Sequence, residues 1–194
     1  MEIQPMYYEK GTVVETATGN KVSRRDTHLF GSTNIVLSGK SIIMDGCILR
    51  GDLNSIRIGK YCVIGEKSII RPSYKAFSKG FTYFPIHVGD YVFIENVSNS
   101  LIICQNCVIM ASQIGSYVHI GRNSIIGRNV VLKDCVQILP DSVVPQDAII
   151  PPFSIVGGNP ATVVGELPSM TQDLMIQANK SFYENFISSA KKFL

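Results

Sequence analysis

The side chains of this chain that could do chemistry are few, and its three histidines come first: His28, His87 and His119. Three neutral imidazoles that converge on one point would bind a zinc ion and leave a position open for a reactive water. A single histidine could instead act as a general base, and His119, in the run YVHIG, is the candidate for that role. Because no carboxylate stands at a spacing that would orient its ring, an outward side chain in a polar contact is the simpler interpretation.

The five cysteines do not indicate a metal or redox site. An odd number argues against a disulfide framework. Cys104 and Cys107 form a C-x-x-C, but a structural zinc needs a second pair of ligands and a redox motif is expected beside a βαβ unit. Neither is present in the sequence, and Cys47, Cys62 and Cys107 fall where a repeat, described next, places buried residues. We expect no cofactor and no metal.

A period of six residues organises the chain from Ile114 to Ile155. The first position of each hexad is aliphatic, the fifth is small or β-branched, and the second is often glycine or proline. The seven hexads are IGSYVH, IGRNSI, IGRNVV, LKDCVQ, ILPDSV, VPQDAI and IPPFSI. A six-residue period is the signature of a parallel β-helix.

Strand geometry predicts which hexad positions face the core and which face outward. Side chains alternate along a strand, so the first and fifth positions face the core and the sixth faces outward. Three hexads close one triangular coil. Glycine at the second position is expected to provide the positive φ of the corners.

The repeat divides the chain into three parts within a single domain. Residues 1–36 are predicted to form a strand and cap, and residues 37–158 the β-helix, with loops at 74–87 and 96–104. Residues 159–194 are predicted to be a linker and an amphipathic helix that packs on the β-helix. The run Ser169 to Gln172 fits a capping box, and a helix of roughly 20 residues would follow it.

Composition excludes several classes of function. The net charge of +3 is too small to indicate a nucleic-acid partner. No apolar run approaches the roughly 20 residues of a membrane span, and no secretory signal is visible at the N-terminus. The sequence therefore predicts a cytoplasmic protein without a membrane span.

The sixth hexad positions predict three outward columns, one for each face of the prism. The first column is aliphatic in every coil: Ile48, Ile69, Val108, Ile125 and Val143. The second contains Lys75, Gln113, Val131 and Ile149, and the third contains Ile42, Val63, Phe93, His119, Gln137 and Ile155. Contiguous outward apolar side chains mark an interface. We expect the helix to dock on the first column through Leu174, Ala178 and Phe182.

The remaining apolar segments are expected to contact partner subunits. Among them is a loop rich in aromatic residues: Phe77, Phe81, Tyr83 and Phe84. Hexapeptide-repeat proteins include acyltransferases and zinc-dependent carbonic anhydrases, and both need histidine. Here the histidines fall before the repeat or on different strands, so a binding scaffold is the preferred interpretation. An acyltransferase-like enzyme remains the alternative.

Segments inside and outside the repeat resemble the dynactin subunit 5 family, from about Glu15 to Phe186. They are TATGNKVSRRD, NIVLSGKSIIMDGCILRGDLNSIRIG, KAFSKG, FPIHVGDYVFIE, ASQIGSYVHIG, VVLKDC and GELPSMTQDLMI. The resemblance implies a non-enzymatic left-handed β-helix with a C-terminal helix, in the pointed-end complex of dynactin. Its implied partners are a sister hexapeptide-repeat subunit, an actin-related protein and a larger subunit. It also implies a role in engaging dynein with cargo and adaptors, and a cytoskeleton-associated location.

Overall fold

The structure is a computed structural model that describes residues 6–78, 80–95 and 107–189. Within them the chain winds as a coil whose strands stack in parallel into three long sheets. Each sheet forms one face of a triangular prism, and one α-helix follows the coil. The predicted fold class, a parallel β-helix with a C-terminal helix, is confirmed.

The three faces are named by the order in which the hexads reach them. The first face consists of His28–Phe30, Ile48–Arg50, Ile69–Ile70, Val108–Ile109, Ile125–Ile126 and Val143–Val144. The second face consists of Ile35–Gly39, Ile56–Lys60, Ile86–Val88, Gln113–Ile114, Val131–Leu132 and Ile149–Ile150. The third face consists of Val13–Glu15, Lys21–Ser23, Ile42–Ile43, Val63–Ile64, Phe93–Ile94, His119–Ile120, Gln137–Ile138, Ser154–Gly158 and Ala161–Glu166.

The strand register aligns two of the three predicted columns as expected. On the first face Ile48, Ile69, Val108, Ile125 and Val143 pair in succession. On the third face the column from Ile42 to Ile155 pairs in succession as well. The second column was wrong at one member, because His87 is the residue aligned with Gln113. Lys75 instead pairs with Thr82 in a hairpin.

The interior follows the predicted alternation. First-position residues such as Ile120 and Ile126 are fully buried, and so are fifth-position residues such as Val118 and Ser124. Each inward side chain packs between its counterparts in the coils on either side, so the core is one continuous column of apolar side chains. This burial is what holds successive coils together.

The corners do not use glycine as predicted. The positive φ occurs at the fourth hexad position, for example at Tyr61 (53°), Asn123 (55°) and Asp141 (57°). Glycine at the second position is needed for space, because a Cβ on Gly121 would lie 2.5 Å from the backbone nitrogen of Pro140. The next coil passes too close for any side chain at this position.

The coil begins earlier in the chain than residue 37. Lys21–Ser23, His28–Phe30 and Ile35–Gly39 all pair in parallel with the following coil. Val13–Glu15 adds an antiparallel strand before them. The N-terminal residues expected to be a cap therefore supply most of a first coil.

The two predicted loops have different outcomes. The segment 74–87 contains an antiparallel hairpin of Tyr74–Phe77 and Gly80–Tyr83, and the second-face strand Ile86–Val88 already begins inside it. The predicted loop 96–104, with Cys104 at its end, lies outside the described residues.

At the C-terminal end the chain turns back and then forms the helix. Ser154–Gly158 pairs antiparallel with Ala161–Glu166, and the helix runs over Thr171–Asn185. Its 15 residues span about 22 Å, shorter than predicted. The predicted capping box is wrong, because Met170 is the N-cap residue and no side chain of the described residues caps the helix.

A last strand, Phe186–Ser188, pairs in parallel with Met6–Tyr8 and brings the two ends of the described chain together. Within the residues that the structure describes, no helix is long and apolar enough to cross a membrane.

Candidate interaction surface

The helix docks on the third face, so the predicted docking on the first face is wrong. The Phe182 ring meets Phe93 edge-on, with centroids 5.3 Å apart. The side-chain amide of Asn179 donates to the carbonyl oxygen of Tyr61 at 2.9 Å. At the end of the helix, Lys21 Nζ donates to the carbonyl oxygens of Tyr183 and Phe186.

The predicted docking was wrong because the side of the helix that is buried is not the one expected. Thr171 and Asn179 are the buried helix residues, whereas Leu174, a predicted docking residue, is 56% exposed. Ala178 is exposed too, and Phe182 is the one of the three that contacts the coil. Asn179 supplies the hydrogen bond that a carbonyl oxygen at a corner of the coil needs. Counting the apolar residues of the helix cannot predict such a polar contact.

A stack of tyrosines forms the edge of this docking site. Tyr61, Tyr91 and Tyr117 occupy successive corners between the second and third faces, with ring centroids 5.4 and 5.7 Å apart. Tyr183 of the helix meets Tyr61 edge-on, and Gln172 bonds to the Tyr117 hydroxyl. Sequence reasoning missed this tyrosine stack. Its signal was tyrosine at the fourth position of three hexads, GKYCV, GDYVF and GSYVH.

The three histidines do not converge. His28 lies on the first face, His87 on the second and His119 on the third. Among the described residues there is no group of three or more His, Cys, Asp or Glu that could bind a metal ion.

His119 lies under the helix rather than at an open cleft. Its ring stacks on Phe93 with centroids 5.8 Å apart, and its buried Nδ1 has no hydrogen-bond partner among the described residues. Beside it is a space of about 240 Å³ that Tyr117, Thr171 and Met175 help to line. Burial lowers the pKa of His119, an effect that the negative charge of Glu95 partly opposes. The ring is therefore held neutral, and no carboxylate in the described part of the chain hydrogen-bonds to it to orient it.

The thiols are equally unsuited to catalysis. Cys47, Cys62, Cys107 and Cys135 are free and buried in the core. Burial raises the pKa of Cys47 and of Cys62 to about 12. A thiol with such a pKa is almost entirely protonated at neutral pH and is not a nucleophile.

The aliphatic column of the first face remains uncovered by the helix. We call Ile48, Ile69, Val108, Ile125 and Val143 the aliphatic ladder. Ile125 is 40% exposed, and the other four are half-buried. Because the register places one of them in each successive coil, they form a continuous apolar strip along the prism.

The hairpin of Tyr74–Phe77 and Gly80–Tyr83 borders the same face. It leaves the coil after the first-face strand Ile69–Ile70 and returns to the second face at Ile86–Val88. Phe77 and Phe81 are 54% and 69% exposed, whereas Tyr83 and Phe84 are half-buried.

The base of the hairpin is anchored to the coil through Tyr74. Arg128 stacks over the Tyr74 ring at 4.7 Å, and Asn54 donates to the Tyr83 carbonyl oxygen at 2.7 Å. The hairpin thus presents its two exposed phenylalanines from a fixed base. Together with the aliphatic ladder it forms the candidate interaction surface.

Comparisons with known proteins agree on fold and family. The family model of dynactin subunit 5 matches residues 1–191. Dynactin subunit 5 of Dictyostelium discoideum is 41% identical over 187 residues, which are 96% of this chain and 89% of that protein. The mitochondrial gamma carbonic anhydrase 2 of Arabidopsis thaliana is 28% identical over 151 residues, which are 78% of this chain and 49% of that protein.

Among solved structures, a hexapeptide transferase family protein from Anaplasma phagocytophilum superposes with a TM-score of 0.62 at 14% identity. The superposition covers 92% of this chain and 95% of that one. It shows the fold alone, a left-handed β-helix of hexapeptide repeats. The match of sequence over nearly the whole length goes further: the chain belongs to the dynactin subunit 5 family.

Proposed function

We propose that this protein is a non-enzymatic scaffold subunit of the dynactin pointed-end complex, located in the cytoplasm with the cytoskeleton. In this role it supports dynein-driven transport along microtubules and the engagement of cargo and adaptors. The observation that carries the proposal is family membership over nearly the whole chain, including the segments outside the hexapeptide repeat. Its proposed partners are the sister hexapeptide-repeat subunit, the actin-related protein and the larger subunit of the pointed end.

The chemistry of the chain supports a scaffold rather than an enzyme. The three histidines lie on three faces, His119 has no orienting bond to a carboxylate of the described residues, and burial keeps the described thiols protonated. What the coil offers is a rigid prism with an apolar strip and an aromatic hairpin along one edge. Surfaces of this kind bind other proteins.

The candidate interaction surface predicts where the partners bind. We assign the aliphatic ladder and the exposed residues Phe77 and Phe81 to contacts with other pointed-end subunits. Burying an aliphatic strip of this length would contribute about 25 cal/mol for each Å² removed from water. A charge placed in the strip would be desolvated without a partner and would oppose assembly.

Two isoleucine-to-arginine variants, one inside the aliphatic ladder and one outside it, test this assignment. Ile125→Arg lies in the aliphatic ladder, whereas Ile149→Arg lies on the second face, where Ile149 is 68% exposed. The tagged proteins are expressed in cells, and dynactin is recovered through another of its subunits. We expect Ile149→Arg to be recovered at the wild-type ratio and Ile125→Arg to be lost from the complex. Equal recovery of both would refute the placement of the partner surface.

Absence of the wild-type chain from purified dynactin would refute the complex assignment itself. Purified wild-type protein is also assayed for acetyl-CoA-dependent transfer and for bicarbonate dehydration. Turnover that His119→Ala abolishes would establish the acyltransferase-like or anhydrase-like alternative and overturn the scaffold role.

A further inference from the structure

The two ends of the coil are closed to different extents. At the C-terminal end the inward residues Val144 and Ile150 are only 1% and 7% exposed. At the N-terminal end the inward residues Leu29, Ile35 and Leu37 are half-buried. Their register partners in the next coil are fully buried: Leu49, Ile56 and Ile58. Within the described residues, the core is therefore less well covered at its N-terminal end.

The same end presents unpaired strand edges. Among the described strands, His28–Phe30 and Ile35–Gly39 are the outermost of the first and second faces, so each has a described neighbour on one side only. Alternate residues of such a strand direct their N–H and C=O groups away from the sheet. Phe30 and Val36, which point outward, are 47% and 50% exposed. The edge strand Ile35–Gly39, whose first three residues are aliphatic, is a template for pairing with another strand.

At the N-terminal end of the coil, the third face has one strand more than the other two faces among the described residues. Val13–Glu15 pairs with Lys21–Ser23 and stands one strand beyond the first coil. The first and second faces carry no such strand in the part of the chain that the structure describes. A strand standing out on one face obstructs flat stacking against the coil end of a second copy. It leaves space beside it for a single extended segment.

The charges near the edge strand Ile35–Gly39 determine which kind of peptide segment can pair with it. Val36 is aligned with Arg57, and Gly39 with Lys60. Residues 27–43 contain no Asp or Glu, and Lys40 follows the strand directly. The edge therefore combines an apolar inner side with a basic outer side.

We propose that the N-terminal coil end binds an extended segment of another dynactin subunit, which adds to Ile35–Gly39 as a β-strand. Alternate apolar side chains of this segment cover Leu37 and Ile35. The intervening outward side chains are neutral or acidic and lie beside Arg57. The inference rests on the proposed function, because its partner is a subunit of the same complex.

Hydrogen–deuterium exchange on the isolated chain and on purified dynactin containing it tests the proposal. The expected result is exchange at residues 35–39 that is at least about tenfold slower in the complex, because the outward amides become hydrogen-bonded. A chain that incorporates but exchanges equally fast at these residues overturns the strand addition and leaves the proposed function intact. A chain that does not incorporate overturns both.

Exchange measured on the isolated chain shows whether something other than a partner subunit covers residues 35–39. Protection of residues 35–39 in the monomer means that the chain covers its own end, and protection that grows with concentration means that a second copy does. Either result overturns the proposal.

A pair of variants provides the matched control. Val36→Asp places a charge at the proposed edge, whereas Val163→Asp places one at a valine that is 52% exposed at the opposite end. We expect Val36→Asp to abolish the protection at residues 35–39 in the complex and Val163→Asp to retain it. Equal protection in both variants contradicts the proposal.

Discussion

Replacing Ile126 by alanine is the sharpest test of the coil register. The Ile126 side chain is fully buried and packs between Ile109 and Val144, its aligned neighbours in the adjacent coils. Backbone hydrogen bonds fix both neighbours, so the coil cannot collapse into the space that the mutation leaves. Isoleucine-to-alanine changes in cores cost about 2–5 kcal/mol, and the rigid surroundings predict the upper half of that range.

The neighbouring residue provides a control in the same strand. Ile125 points outward and is 40% exposed, so Ile125→Ala removes the same atoms from a half-hydrated site and should cost less than about 1 kcal/mol. Thermal and urea unfolding followed by circular dichroism measure both variants. At about 2–4 °C for each kcal/mol, Ile126→Ala should lower the Tm by roughly 7–20 °C. Equal losses for the two variants, or a larger loss for Ile125→Ala, would refute the inward and outward assignment.

Three further predictions concern the corners, the helix and the buried histidine. Gly121→Ala should destabilise the fold by about 1–3 kcal/mol in urea unfolding, because its Cβ would overlap the backbone at Pro140. Asn179→Ala should cost about 1–3 kcal/mol, because it leaves the Tyr61 carbonyl oxygen without its side-chain donor. Burial lowers the pKa of His119, so the unfolded chain takes up a proton more readily, and stability should fall as the pH drops through about 6.5. His119→Gln should flatten that decline in unfolding curves between pH 7 and pH 5.

Each of these changes has a control elsewhere in the chain. Gly165→Ala should be close to neutral, because the nearest atom to its Cβ would be 3.5 Å away. Gln172→Ala removes an exposed hydrogen bond and should change stability by less than about 0.5 kcal/mol. His87 is exposed, so His87→Gln should retain the pH dependence. A control that changes as much as its partner would contradict the corresponding argument.

The coil itself was predictable because its pattern depends on local geometry. Alternation along a strand places Ile126 inside and Ile125 outside, and the six-residue period carries this assignment from one coil to the next. The aligned columns of the first and third faces follow from the period alone. The six-residue period gives a wrong assignment where other structure interrupts the repeat. Lys75, predicted in the second column, lies in the hairpin instead.

The first coil was missed because its residues lack the hexad signature. In the strand Lys21–Ser23 the outward position, aligned with Ile42, is a lysine that the end of the helix covers, and Lys21 is only 8% exposed. Its ammonium group donates to the carbonyl oxygens of Tyr183 and Phe186, more than 160 positions later in the chain. A contact between segments so far apart in the chain produces no local sequence pattern from which it could be predicted.

The docking of the helix could not be predicted from hydrophobicity for a similar reason. Asn179 is fully buried at the centre of the contact, while Leu174 faces away from it. The choice of face depends on a corner carbonyl that needs a donor and on the tyrosine stack at the same edge. The aliphatic ladder, which a count of apolar residues favours as the docking site, is not covered by the helix.

The most direct test of the scaffold role is a cryo-electron microscopy map of dynactin assembled with this chain. We expect the chain to occupy the pointed end and another subunit to bury the aliphatic ladder from Ile48 to Val143. The helix should remain on the third face, since it already covers that side of the prism. A map in which the chain is present but its first face is open to solvent would contradict the proposed scaffold surface.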